Sequence, residues 1–403
     1  MTKPRLLFVS PQFLFPMDAG GKIRSANILK RLKGEMFEIC LVAPATDQQM
    51  EKWGSEISEL CDQFTAWEAE RRGISQKIRR GLALFSNLPV AVSSEARPEA
   101  RKTLQTFLET KPDLIVFDYV HSIVMAPENL EMPSLFFAHN VETEIFERHA
   151  GLTNGFMKAI WRAEAAKMAR FENKACQRVD GIIAVSDRDA ALFQSKFAAE
   201  NVFSVPTGVD LDFFKWRKPK QDQVPTLIFT GSLDWRANQD GLSWFMDEVW
   251  PKIQIEIPDA IFRIVGKNPP GWLEATAKDR GYRWEFTGYV DDIRDHLDGS
   301  VYVIPLRAGG GTRIKAFEAM ASGLPVVSTG LGVEGLPVEN GKHFIEADTA
   351  DGFARSVVQL LRNPDQRLAL SIEAREHCER NFSQDAVASE FEKHCLDVIE
   401  KAS

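Results

Sequence analysis

The sequence predicts an α/β protein of two successive domains, each a largely parallel sheet flanked by helices. Three observations predict this. Short apolar runs, the pattern of strands buried on both faces, alternate with longer amphipathic stretches along the whole chain. The alternation halts once, at the polar, lysine-bearing stretch Lys215–Val224, and then begins again. At 403 residues the chain is also longer than one ordinary domain.

Composition bounds the rest. An apolar fraction of 44% and a charged fraction of 26% suit a globular protein, and a net charge of −8 argues against nucleic acid as a partner. Five scattered cysteines, an odd number without C-x-x-C spacing, fit a reducing compartment and no metal centre. Leu6–Val9 is too short for a signal-peptide core, and no apolar run is long enough to span a membrane. The expectation is a cytoplasmic protein.

In the first half, Leu6–Ser10 reads as a central strand. The pair Gly20 and Gly21 then forms a loop leading into a helix over Lys22–Gly34. Glycines there let a ligand approach the backbone at the carboxyl end of the first strand. Phe37–Ala43 is the second strand and Glu51–Cys61 a polar helix. Between Arg71 and Arg80 lie five basic residues and no acid, followed by Leu82, Leu84 and Phe85. Such a segment suits an anionic membrane surface or a lipid-phosphate acceptor; a solvated helix face gives the same pattern. Asp113–Tyr119 and Ser134–Asn140 are further strands. The second delivers His139, Asn140 and Glu142 to the carboxyl edge of the sheet, and His121 follows the first. A long helix over Phe156–Arg178, strands Gly181–Ser186 and Val202–Pro206, and a helix near Arg188–Lys196 complete the domain.

The second half repeats the alternation. Thr226–Gly231 is a strand, Gln239–Ile257 mainly helix, Ala260–Gly266 a strand, Gly271–Arg280 a helix and Trp284–Gly288 a strand. A helix near Ile293–Leu297 precedes the stretch that organises this half. There the strand Val301–Leu306 runs into Gly309, Gly310 and Gly311, then a helix from about Thr312 to Ser322 that Gly323 and Pro325 stop. Bare backbone N–H groups at a helix N-terminus form an anion cradle, to which Arg313 and Lys315 add full charges. Glu318, one turn on, is an acceptor placed beside the cradle and suits sugar hydroxyls, so the chemistry points to a nucleoside diphosphate. The glycines fit neither a Walker loop nor a dinucleotide fingerprint. Arg236, in the G-S-L-D-W-R-A-N string that begins at Gly231, is a third candidate for the diphosphate. Asp210-Leu211-Asp212 has a metal-binding D-x-D spacing in surroundings unsuited to a metal. Helices over Asp351–Arg362, Gln366–Arg380 and Ala386–Ala402 end the chain.

The string GGGTRIKAFEAMASGLPVVST closely resembles the G-x-R-x-K-x-x-E-A-M-A-x-G-x-P-V-V signature of retaining GT-B glycosyltransferases of the family-four type (glycosyl transferases group 1). Thr207-Gly208-Val209-Asp210 with Phe214 resembles the family's N-G-V-D-x-x-x-F element, Thr207 standing for Asn. The resemblance implies two Rossmann-like domains facing each other across a cleft: an acceptor-side domain over 1–206, a linker over 207–225 and a donor domain over 226–383. It also implies that the last helix, 384–403, packs back on the first domain. On this reading a sugar passes from a nucleotide-diphosphate donor to a saccharide or lipid-linked acceptor, with retention and with neither metal nor cofactor. Gly231, Gly309, Gly310, Gly311, Thr312, Arg236 and Glu318 would bind the donor. Arg313, Lys315 and the strand-end His139 would act in catalysis, and Gly20, Gly21, His121 and Asn140 would line the acceptor side.

Two departures stand out. Ser232 replaces the family's usual Arg, and the string then resembles a subgroup associated with exopolysaccharide assembly. Gly310 occupies the position of the first of the family's paired glutamates. A nucleotide-sugar epimerase and a non-catalytic nucleotide-sugar binder are the alternative readings.

Overall fold

The computed structural model describes residues 3–34, 36–69, 81–219, 224–308 and 313–402. The basic run Arg71–Arg80 and the loop Gly309–Thr312 therefore lie outside the described residues. The chain divides into two compact units, residues 3–207 with 387–402, and residues 208–308 with 313–386.

The first unit is a sheet of seven strands in the order β3-β2-β1-β4-β5-β6-β7, and every pairing is parallel. These are β1 Arg5–Val9, β2 Glu38–Ala45, β3 Gln63–Glu68, β4 Leu114–Asp118, β5 Ser134–Phe137, β6 Gly181–Ala184 and β7 Val202–Ser204. Leu6 pairs with Ile39 on one side and Leu114 on the other, so β1 is central. Its RLLFV sequence is apolar on consecutive residues because helices cover both faces. The longer helices are α1 Gly20–Leu32, α2 Asp47–Ser58, α3 Pro98–Leu108, α4 Glu142–Leu152, α5 Gly155–Cys176 and α6 Asp187–Phe197. Strand order reverses between β1 and β4, the point where open α/β sheets bind ligands at their carboxyl ends.

In the second unit six parallel strands run β10-β9-β8-β11-β12-β13. They are β8 Thr226–Thr230, β9 Ile261–Val265, β10 Trp284–Gly288, β11 Val301–Ile304, β12 Val326–Ser328 and β13 Ile345–Glu346. Its helices are α7 Arg236–Trp244, α8 Trp250–Glu256, α9 Gly271–Asp279, α10 Ile314–Ala321, α11 Ala350–Arg362 and α12 Pro364–Asn381. The reversal of order falls between β8 and β11. One core is dominated by rings: Phe262 meets Trp284 edge-on at 4.8 Å, and Trp250 meets Trp284 at 5.9 Å. Both sheets are Rossmann-like.

The last helix, α13 Gln384–Ala402, carries Val387, Phe391, Cys395 and Val398 on one stripe. These four join Leu6, Phe8, Leu41 and Phe137 in one apolar cluster of the first unit, with Phe137 and Phe391 meeting edge-on at 5.0 Å.

Several elements differ from expectation. Gly20 and Gly21 are the first two residues of α1, because the chain reaches helical geometry directly after Ala19. Arg236 likewise opens a helix. Ile293–His296 is a 3₁₀ turn. The edge strands β3 and β13 and the helices α3 and α4 were not foreseen: in β3 only Trp67 is buried, so its sequence lacks the apolar signature of the inner strands. All five cysteines are free and buried.

Candidate functional site

The carboxyl edge of the first sheet gathers a buried polar cluster. Asp118, the last residue of β4, is fully buried and accepts hydrogen bonds from Ser10 Oγ at 2.8 Å and from Ser25 Oγ at 2.8 Å. His139, two residues beyond β5, donates from Nε2 to Asp118 Oδ1 at 2.6 Å. Its Nδ1 faces Arg24 Nη1 at 3.4 Å, which makes Nδ1 the acceptor and the ring neutral. Burial holds the His139 pKa below the usual histidine range, against the pull of Asp118. Arg24 is itself buried, and its guanidinium donates to Ala138 O at 2.7 Å and Val205 O at 2.6 Å while covering the Phe137 ring. Burial lowers its pKa to about 9. The cluster is closed: each nitrogen of the imidazole faces a protein group.

Tyr119 forms the roof. It adopts φ +60, unusual for an aromatic residue, and its ring lies 4.2 Å from that of His139. A Cβ built on Gly21 would come within 1.7 Å of the Tyr119 hydroxyl and 3.4 Å of the His139 ring. Glycine at the start of α1 is therefore needed for the phenol to lie against it. Gly20, beside it, is half-buried. The His121 ring lies 6.5 Å from that of Tyr119 in a stacked arrangement; burial lowers its pKa to about 4, and its Nε2 is a buried nitrogen without a hydrogen-bond partner. Asn140, next to His139, hydrogen-bonds the side chain of Glu142.

At the carboxyl edge of the second sheet the arrangement is sparser. Lys315, in the first turn of α10, donates to Asn238 Oδ1 at 3.3 Å, and its ammonium lies 4.5 Å from the centre of the Phe229 ring. Asn238 is buried and its amide donates to Ser232 O at 2.8 Å, which fixes the direction of its carbonyl. Gly231, just past β8, has φ +150, and a Cβ there would lie 3.1 Å from Lys315 Nζ and 2.9 Å from Asn238 Nδ2. Only glycine fits that corner. Burial and the charge of Arg313 lower the Lys315 pKa to about 7. Glu318, half-buried one turn on, is raised to about 7 by burial, against the pull of Lys315. It bears electrostatically on Tyr302, whose hydroxyl bonds Thr230 Oγ1 at 2.5 Å. Arg313 is buried at the N-cap of α10.

The structure thus brings Gly231, Lys315, Glu318 and Arg313 together, and in the other unit Gly21, His121, His139 and Asn140. Arg236 is exposed at the start of α7, two residues before the Asn238 that meets Lys315. Gly309, Gly310, Gly311 and Thr312 lie outside the described residues. Sequence reasoning missed Asp118, Arg24, Tyr119 and Asn238. Asp118 alone left a signal, as a carboxylate ending an otherwise apolar strand. Asp210 Oδ1 accepts from the backbone N–H groups of Asp212 and Phe213, a turn-forming role for the D-x-D. Among the described residues no three His, Cys, Asp or Glu side chains gather as metal ligands, and no helix is long and apolar enough to cross a membrane.

Comparison with known proteins follows this division. A family described as Glycosyltransferase Family 4 matches residues 23–213, and one described as Glycosyl transferases group 1 matches residues 224–363. The chain is 22% identical over 398 residues to an uncharacterised 44.6 kDa protein in the cps region of Klebsiella pneumoniae, covering 96% of this chain and 98% of that one. It is 29% identical over 196 residues to a phosphatidyl-myo-inositol mannosyltransferase of Mycobacterium leprae, 46% of this chain and 51% of that protein. The crystal structure of Anabaena HepE in complex with UDP and glucose superposes with a TM-score of 0.68 at 14% identity, covering 98% and 100% of the two chains. With a family 4 domain followed by a group 1 domain on two Rossmann-like sheets, the chain is a glycosyltransferase of the GT-B fold.

Proposed function

We propose that the enzyme transfers a hexose from a nucleoside-diphosphate sugar to a saccharide or lipid-linked acceptor, with retention at the anomeric carbon and without a metal ion or other cofactor. The observation that carries this reading is the corner formed by Gly231, Asn238, Lys315 and Glu318. It holds a half-buried ammonium against one amide carbonyl and a ring face, with a carboxylate one helical turn away. A diphosphate arriving there would supply Lys315 with counter-charge in place of the solvent that burial has removed. As the sugar leaves, negative charge grows on the diphosphate, and Lys315 and Arg313 are the groups in position to stabilise it. Glu318 accepts from the ribose hydroxyls. The cps-region relative supports a role in cell-surface or exopolysaccharide synthesis, and the mannosyltransferase relative and the neighbour bound to UDP and glucose put mannose and glucose donors among the first to test. The basic run Arg71–Arg80 would hold the protein at an anionic membrane face.

The test is a melting-temperature panel with UDP, GDP, ADP and TDP, then turnover of the matching hexose donors with and without EDTA. One nucleotide should raise the melting point and donor turnover should survive EDTA. Absence of stabilisation by all four would remove the donor assignment, and an inverted anomeric proton signal in the product would remove retention.

A further inference from the structure

We propose that Asn238 is a positioning residue for glycosyl transfer: its side-chain carbonyl holds the Lys315 ammonium in place, still charged, for the arriving diphosphate. The inference rests on the donor reading above and adds to it the group that governs the cation.

Asn238 is the third residue of α7 and is 2% exposed. Small residues bring this helix close to its neighbours. Ala237 joins Leu306, Ala316 and Phe317 in one apolar cluster, and a Cβ on Gly241 would lie 2.4 Å from Pro305 O. The Asn238 amide is then fixed at both ends. Its Nδ2 donates to Ser232 O at 2.8 Å, and its Oδ1 accepts from Lys315 Nζ at 3.3 Å. A carbonyl only accepts and an ammonium only donates, so these two partners admit one orientation of the amide. The turn before it is tied down as well. Gln239 Nε2 donates to Leu233 O at 2.8 Å, and Ser232 Oγ to Asp234 Oδ1 at 2.6 Å. Lys315 therefore meets an acceptor already set in direction.

That acceptor is neutral. A carboxylate at the same position would pair with Lys315 and compete with a diphosphate for it. An amide carbonyl takes one of the three ammonium donors and leaves the charge whole. The Phe229 ring, whose centre is 4.5 Å from Nζ, favours the cation in the same way. Burial and the charge of Arg313 act against it and lower the Lys315 pKa to about 7, while Glu318 favours the ammonium. Arg313 caps α10 and Glu318 lies within it; from β11, the Tyr302 phenol faces Glu318. The balance is thus close at neutral pH, and loss of the Asn238 carbonyl would tip Lys315 toward the uncharged amine. An uncharged amine does little for a departing diphosphate.

The experiment uses the full chain with 13C-labelled lysine, free of nucleotide. The Lys315 signal is identified by its loss in Lys315→Met, and its titration is followed in wild type, Asn238→Leu and Asn238→Asp. The wild-type midpoint should lie near 7. Asn238→Leu should move it down by about one pH unit and Asn238→Asp up by about one. Calorimetry at pH 6 with the best nucleotide of the panel should show about tenfold weaker binding in Asn238→Asp, whose carboxylate competes for the ammonium. A purely structural asparagine would weaken both variants without moving the two midpoints in opposite directions. Midpoints that coincide in all three proteins, or that shift the same way in both variants, would overturn the proposal. Failure of every nucleotide to bind wild type would instead overturn the donor reading, whatever the Lys315 midpoints show.

Discussion

The carboxyl edges of the two sheets hold the same kinds of group in opposite states. In the first unit Asp118 bonds Ser10, Ser25 and His139, Arg24 bonds the carbonyls of Ala138 and Val205, and the histidine is neutral between them. In the second, Lys315 and Glu318 are half-buried with few bonds, and burial has drawn the pKa of each to about 7. The first cluster is densely hydrogen-bonded and its polar groups hold the strand ends together. The second is poorly solvated and poorly paired, the condition of a site whose missing partner is a ligand.

That contrast can be broken most forcefully at Arg24. Arg24→Ala should destabilise the first unit by about 3 kcal/mol, because it orphans two buried carbonyls and empties a packed volume. Urea denaturation would measure it, and nucleotide-induced stabilisation should remain. An effect next in size is expected at Lys315. Lys315→Met should lower turnover about 100-fold or more, since it removes a cation from the growing charge of the leaving group, with donor affinity changing less. Steady-state kinetics with the donor found in the nucleotide panel would decide it, and a variant with wild-type turnover would count against the role. Glu318→Ala should weaken nucleotide binding by about 1.5–3 kcal/mol in calorimetry.

Smaller effects sharpen the comparison through pH. Diphosphate binding wants Lys315 charged, which fails above about 7, and ribose binding wants Glu318 charged, which fails below about 7. Nucleotide affinity should therefore peak near neutrality and approach a tenfold fall per pH unit on either side, with Glu318→Gln removing the acid limb and Lys315→Met the alkaline one. The buried histidines of the first unit should respond in one direction only. The folded pKa of His121, about 4, lies below its unfolded value near 6.5, so the folded state binds fewer protons. Stability from this group is present above about 6.5 and is lost as pH falls toward 4. His139 shifts the same way. Hydrogen exchange at pH 7 and pH 5 would report the loss at β4 and β5.

The legible parts of this protein were those written in local pattern. Buried parallel strands such as Val301–Ile304 and Leu114–Asp118 announce themselves as unbroken apolar runs, and the alternation fixed two Rossmann-like units. The pairing of Lys315 with Glu318 was legible because the two residues share one helix. What remained hidden depends on residues far apart in sequence. Arg24 reads locally as a surface cation in K-I-R-S, and only the return of β5 and β7 buries it against Ala138 O and Val205 O. Tyr119 could not be distinguished from a strand residue, since its positive φ and its packing on Gly21 are tertiary. In G-S-L-D-W-R-A-N the charged residue attracted the inference, whereas the neutral Asn238 is the one turned toward Lys315.

One feature of the first unit bears on how the polypeptide is made. Phe391 and Val398 fill a seam alongside Leu6, Phe8 and Phe137, so this apolar surface stays uncovered until synthesis has passed Val398. The first unit therefore waits on the ribosome for this helix, its seam open to chaperones meanwhile. A nascent chain arrested at Ser383 should bind a hydrophobic dye, and adding the helix as a separate peptide should quench that signal.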